Sequence, residues 1–99
     1  MKICKVMGFA TASLKIEGLA PYKLLIVKGI DDEGEPTGET LLAVDTFGAG
    51  LSEVVAVVTG STASKAIHNK DLPVDAAVVG IIDHVSINKK EIYSKNREE

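Results

Sequence analysis

Two histidines, one cysteine and a scatter of carboxylates are the residues in this 99-residue chain that could do chemistry. Asp83 and His84 stand side by side, and with His68 they would supply the partners for general acid–base catalysis. Asp45 added to the three would give a nitrogen-and-oxygen metal set. Spacing argues against both. Asp83 and His84 fall in a run of Val and Ile that reads as a strand, where neighbours point to opposite faces. His68 comes near the end of a short helical segment, an ordinary place for a surface histidine. No metal-ligand spacing joins these residues. Asp45 and Asp75 read instead as loop carboxylates that accept backbone hydrogen bonds. Gly60-Ser61-Thr62-Ala63-Ser64-Lys65 suggests a phosphate loop but lacks the Gly-Lys-Ser/Thr ending, and Ser61 reads as a helix cap. Cys4 lies in a strand, flanked by lysines only in sequence and with no histidine nearby, the setting of a buried inert thiol. The expectation is a protein with no catalytic, metal or cofactor-binding residues, and not an enzyme.

Composition narrows the remaining classes. The chain is long enough for one domain and too short for two. Its net charge of −3 argues against a phosphate-binding surface. The alternative reading, an OB-like module for single-stranded nucleic acid, needs a basic groove and aromatic stacking platforms. Two Phe, two Tyr and no Trp supply little of the latter. No nucleic-acid partner is therefore expected. There is no basic amphipathic helix and no apolar run near the ~20 residues a membrane span requires, so no membrane partner is expected either. The N-terminus is too short on apolar residues for a signal peptide, and a lone cysteine suits a reducing cytoplasm.

The elements that would position any site are mostly strands. Ile3–Leu14 reads as the first, with Gly8 marking a bend or bulge, and Lys23–Ile30 as the second. Asp31 to Glu39 carries five acids, two Gly and a Pro with no base, and reads as a solvated turn. Leu41–Thr46 and Glu53–Thr59 are the third and fourth strands. Ser61–Asn69 is the one helical segment, about two turns long and dependent on packing. Ala76–Ile87 is a long last strand, and the charged stretch from Asn88 to Glu99 is expected to project or fray. The fold class is all-β: a small five-stranded antiparallel OB-like barrel with one short helix between strands four and five. A single β-barrel domain over residues 1–88 is followed by a charged C-terminal tail, 89–99.

The segment Val44-Asp45-Thr46-Phe47-Gly48-Ala49-Gly50-Leu51-Ser52-Glu53 sets a small glycine turn between two of these strands. Glycines there supply positive φ or let another backbone come close. In a small barrel one face of each strand points inward, so alternation is expected. Leu24–Val27, Leu41–Val44, Val54–Val58 and Ala76–Val79 lack it. A short helix is not expected to cover four strands. Each outward Val or Leu left wet forgoes about 1.5–3 kcal/mol, so the pattern points to a subunit packed against its own copies.

Four segments carry a resemblance to a known family. Met1-Lys2-Ile3-Cys4-Lys5-Val6-Met7-Gly8 and Lys23-Leu24-Leu25-Ile26-Val27 are similar to its first two strands. The Val-Asp-Thr with Gly-Ala-Gly and Glu, from Val44 to Glu53, is similar to its most recognisable motif. Pro73-Val74-Asp75-Ala76-Ala77-Val78-Val79-Gly80-Ile81-Ile82-Asp83 is similar to its closing strand. In order from Met1 to about Val85, the chain resembles the bacterial microcompartment vertex proteins, the EutN/CcmL family. The resemblance implies a structural β-barrel subunit that forms a homo-pentamer, caps the vertices of a microcompartment shell in the cytoplasm, and meets hexameric shell proteins of another family. One departure is clear. Where the family often has Ser-Ser-Ala-Arg, this chain has Ser61-Thr62-Ala63-Ser64-Lys65, so an interface contact by that arginine is missing or made differently. Around a symmetry axis each residue meets its own copies, which favours small side chains. Gly48, Ala49, Gly50, Ser52 and Glu53, with Ser64 and Lys65, are the candidate residues of a subunit interface or central opening.

Overall fold

The structure, a computed structural model, describes residues 1–10, 23–66 and 75–95. Its elements are β1 (Lys2–Ala10), β2 (Lys23–Ile30), β3 (Pro36–Asp45), β4 (Val54–Thr59), α1 (Thr62–Ala66), β5 (Ala76–Ile82), β6 (His84–Ile87) and β7 (Lys90–Ser94). The first five strands form a closed barrel in the order β1-β2-β3-β5-β4, as expected for an all-β barrel with a short helix between its fourth and fifth strands. The antiparallel expectation needs one correction. β3 and β5 pair in parallel, through Val44 and Ala77. Strand direction cannot alternate all the way around a ring with an odd number of members, so a five-stranded closure must contain a parallel junction. β1 carries a bulge between Val6 and Gly8, where Gly8 was expected to bend it.

Alternation does operate, but the chain itself covers part of the second face. Cys4, Val6, Leu25, Val27, Ala43, Val55, Val57 and Val78 fill the barrel with Ala49. The intervening residues Leu24, Val44 and Ala77 form a second cluster beneath Ala63 of α1, joined by Ala10, Val58 and Ala66. Each of the five barrel strands contributes a residue to that cluster. The helix itself packs mainly on β4 and β5, through small alanines, and caps one end of this cluster. The helix starts where Ala63 N–H donates to the Gly60 carbonyl and the Thr62 hydroxyl to the Thr59 carbonyl. Its expected continuation to Asn69 lies outside the described residues, as do residues 11–14 of the first strand.

The final strand divides at Asp83, and β7 lies within the stretch expected to project or fray. β6 and β7 pair as an antiparallel hairpin, with Ile87 opposite Lys90. Asn88 and Lys89 between them lie at φ 54° and 66°, the double positive φ that a tight two-residue hairpin turn requires. The hairpin docks on the barrel. The Val54 N–H donates to the Tyr93 hydroxyl at 3.4 Å, and the Lys95 N–H to the Asp83 carbonyl at 2.9 Å. A Cβ placed on Gly34 would stand 2.9 Å from the Ile92 carbonyl oxygen, so the β2–β3 turn also lies against β7. Charge along 90–95 therefore reflects an exposed hairpin surface rather than absence of structure.

Candidate functional site

The glycine turn is built on a carboxylate that its composition does not advertise. Asp45, at the end of β3, is 3% exposed. One oxygen accepts the Phe47 N–H at 2.8 Å; the other accepts those of Gly48 at 3.1 Å and Ala49 at 2.8 Å. The carboxylate thus neutralises three backbone donors that would otherwise be orphaned as β3 ends. Sequence reading gave Asp45 a loop hydrogen-bonding role, and this is the role it has. Its importance to the turn was signalled by position: an Asx residue just before a Gly-rich segment.

The two glycines act differently. Gly48 has φ +82° with open space where a Cβ would sit, so it is required for conformation. Gly50 has ordinary φ, and its N–H donates to the Glu53 carboxylate, whose oxygen would lie 3.1 Å from an added Cβ. Glu53 N–H returns to the Gly50 carbonyl at 3.2 Å, and the second Glu53 oxygen meets Lys95 Nζ at 3.4 Å. Ser52, at φ 69°, donates its N–H to the Val6 carbonyl, and the Val6 N–H donates to the Glu53 carbonyl, both at 2.9 Å. These bonds stitch the turn to β1 at Val6, just before the bulge. Lys23 Nζ reaches the Ala49 carbonyl at 3.3 Å while lying 4.3 Å from the centre of the Phe9 ring.

Within the turn, Gly48, Ala49, Gly50, Ser52 and Glu53 come together as one connected unit. Ala49 points into its own barrel and is wholly buried. The apolar side chains the turn sends outward are Phe47 and Leu51, 52% and 60% exposed, which sequence reading did not single out. Met7 and Phe9 are exposed on the adjoining stretch of β1. Ser64 and Lys65 are elsewhere. They sit on α1, after the far end of β4, roughly 17 Å of strand from the turn. Lys65 is exposed.

The remaining reactive residues are dispersed. His84 Nε2 meets Glu91 of the partner strand at 3.2 Å, not Asp83. His68 lies outside the described residues. Among the described residues no group of three or more His, Cys, Asp and Glu could hold a metal ion. Cys4 is buried in the barrel, and desolvation pushes its thiol pKa up, with Lys2 pulling weakly the other way. No helix among the described residues is long and apolar enough to cross a membrane.

What this arrangement offers is a rigid turn and bare apolar side chains beside a closed barrel. The comparisons with known proteins agree. The sequence profile described as "Ethanolamine utilisation protein EutN/carboxysome" matches residues 1–83. The bacterial microcompartment shell vertex protein EutN of Salmonella typhimurium is 40% identical over 95 residues, covering 96% of each chain. The carboxysome shell vertex protein CcmL of Synechocystis sp. is 42% identical over 95 residues, 96% of this chain and 95% of that one. The solved structure of GrpN, a pentameric microcompartment shell protein from Rhodospirillum rubrum, superposes with a TM-score of 0.78 at 40% identity, covering 88% of this chain and 99% of that one.

Proposed function

We infer the work of this chain from its kinship: it belongs to the EutN/CcmL family, and it is a structural shell protein whose pentamers cap the vertices of a bacterial microcompartment. The observation that carries the reading is the match of nearly the whole barrel to a shell protein that is itself pentameric. The relatives are shell components rather than enzymes.

Geometry explains why a shell needs such a part. Flat sixfold tiles alone cannot close a polyhedron; fivefold tiles at its corners introduce the curvature. On this reading the ring's outer neighbours are hexameric shell proteins of another family. A ring closes through a heterologous contact, in which two different patches of the same subunit meet. The glycine turn supports a place at that contact. It is held by Asp45 and Glu53, and it leaves Phe47 and Leu51 in solvent where an isolated subunit gains nothing from them. Gly48, Gly50, Ser52 and Glu53 would then lie at or beside the interface, with Ala49 bracing the turn from within. Lys65 and Ser64 on α1 would belong to a separate part of the contact.

Native mass spectrometry tests the assembly. A fivefold subunit mass is the expected result. A stable monomer that shifts only on addition of single-stranded DNA would replace this reading with the binding-module alternative.

A further inference from the structure

Lys5 on β1 and Lys28 on β2 are directly paired across the sheet, and cross-strand partners share one face. Both side chains are half-buried. Two like charges so placed repel each other, a pairing that strands ordinarily avoid. Neither lysine makes an ion pair with any described residue. Of the other described lysines, Lys95 has Glu53, Lys23 has Phe9 and the Ala49 carbonyl, Lys2 lines a cleft with Glu39 and Asp75, and Lys65, Lys89 and Lys90 are exposed, with no second lysine opposite them across a sheet.

The complementary group is also present in the subunit, on the turn that follows β2, and no ion pair joins it to the two lysines. Asp32, Glu33 and Glu35 are exposed on the β2–β3 turn and make no ion pair with any described residue. That turn is stiff. The Asp31 carboxylate accepts the N–H groups of Glu33 and Glu35 at 2.9 and 3.0 Å, and Gly34 lies against Ile92. A preformed turn loses little freedom on docking.

We propose that the Lys5–Lys28 pair receives the acidic turn Asp32–Glu35 of a second copy of this chain. The inference rests on the ring reading above. A heterologous ring brings unlike patches of neighbouring subunits together, and the lysine pair and the acidic turn are two such unlike patches on each copy. The contact relieves a repulsion inside each subunit and neutralises a surplus of acid on the next. It acts mainly on the choice of partner and register, since charge complementarity governs both.

Charge reversal tests it, read by native mass spectrometry with the full chain. Lys5→Glu with Lys28→Glu should weaken association by roughly tenfold or more. Asp32→Lys with Glu33→Lys and Glu35→Lys should do the same, and one chain carrying all five changes should regain the fivefold mass. A neutral pair, Lys5→Gln with Lys28→Gln, serves as the folding control: its subunit should unfold at a urea concentration no lower than the parent while its ring is weakened. Rings that survive either reversal would overturn the proposal, as would a combined variant that fails to reassemble. If the parent chain itself shows no fivefold mass, the ring reading fails first and this inference goes with it. A parent ring indifferent to the reversals sinks this inference alone.

Discussion

The carboxylate of Asp45 accepts the Ala49 N–H at 2.8 Å, and through that bond a buried acid holds a buried alanine inside the barrel while the residues around it turn outward. Phe47 and Gly48 donate to the same side chain. Asp45→Ala should therefore cost about 3 kcal/mol by leaving donors unpaired. Asp45→Asn should cost somewhat less, because its amide NH2 would confront N–H donors where one carboxylate oxygen now stands. Urea unfolding measures both, and faster amide exchange at Ala49 would locate the damage in the turn.

Gly34 and Gly38 separate two reasons for glycine. Both have positive φ, +83° and +84°, but only Gly34 faces a backbone oxygen, that of Ile92 at 2.9 Å. Gly38→Ala should lose about 1 kcal/mol, from conformation alone. Gly34→Ala should lose about 2 kcal/mol or more and loosen the hairpin, seen as faster exchange at Ile92 and Tyr93. Equal losses at the two positions would mean that the hairpin does not press on this turn.

The hairpin can also be strengthened. Lys89 holds φ 66°, a conformation that glycine adopts without strain. Lys89→Gly should raise stability by about 0.5 kcal/mol, or at least leave it unchanged despite glycine's greater freedom in the unfolded chain. A clear loss in thermal unfolding would contradict the double positive φ of the 88–89 turn.

Burial of Cys4 ties stability to alkaline pH. Its folded pKa is raised, chiefly by desolvation, so below the unfolded value of about 8.5 the thiol is protonated in both states. Above that value the unfolded chain releases its proton first, and stability falls until the folded pKa is reached. Urea midpoints should therefore decline more steeply above about pH 8.5 in the parent than in Cys4→Val. Lysine and tyrosine titrations are common to both chains and cancel in the comparison. The native thiol should also resist modification until unfolding.

Leu51→Asp should reduce the fivefold species without lowering the subunit's own unfolding midpoint, because Leu51 is 60% exposed and lies outside the barrel core. Replacing Gly50 by a bulky residue should disrupt assembly as well, through Glu53, whose carboxylate stands 3.1 Å from the added Cβ. A normal ring from both variants would remove the glycine turn from the interface.

The sequence by itself determined the five barrel strands in outline, the Gly8 bulge, the short helix, the glycine turn and the family, because these depend on local period, on turn residues and on motif order. It missed that β3 starts at Pro36, inside the expected acidic turn, and that the last strand breaks at Asp83 into a hairpin. β2 runs from Lys23 to Ile30, the bounds expected from the sequence, around the apolar run Leu24–Val27. It also pointed to the hydrogen-bonding role of Asp45. What it could not determine was which side each residue of an apolar run would face, and against what. Val55 and Val57 fill the barrel, whereas Val58 lies against the cluster under α1. Ala49 looked like a small interface residue and is a core residue. The charged stretch after Asn88 was expected to project or fray, yet residues 89–95 fold back so that Tyr93 reaches Val54 and Lys95 reaches Glu53. Such partners are distant in sequence, 39 positions apart for Tyr93 and Val54. Only closure of the barrel brings them within a hydrogen bond's length, and the same closure, with five strands, forces the parallel junction between β3 and β5 that no local pattern encodes.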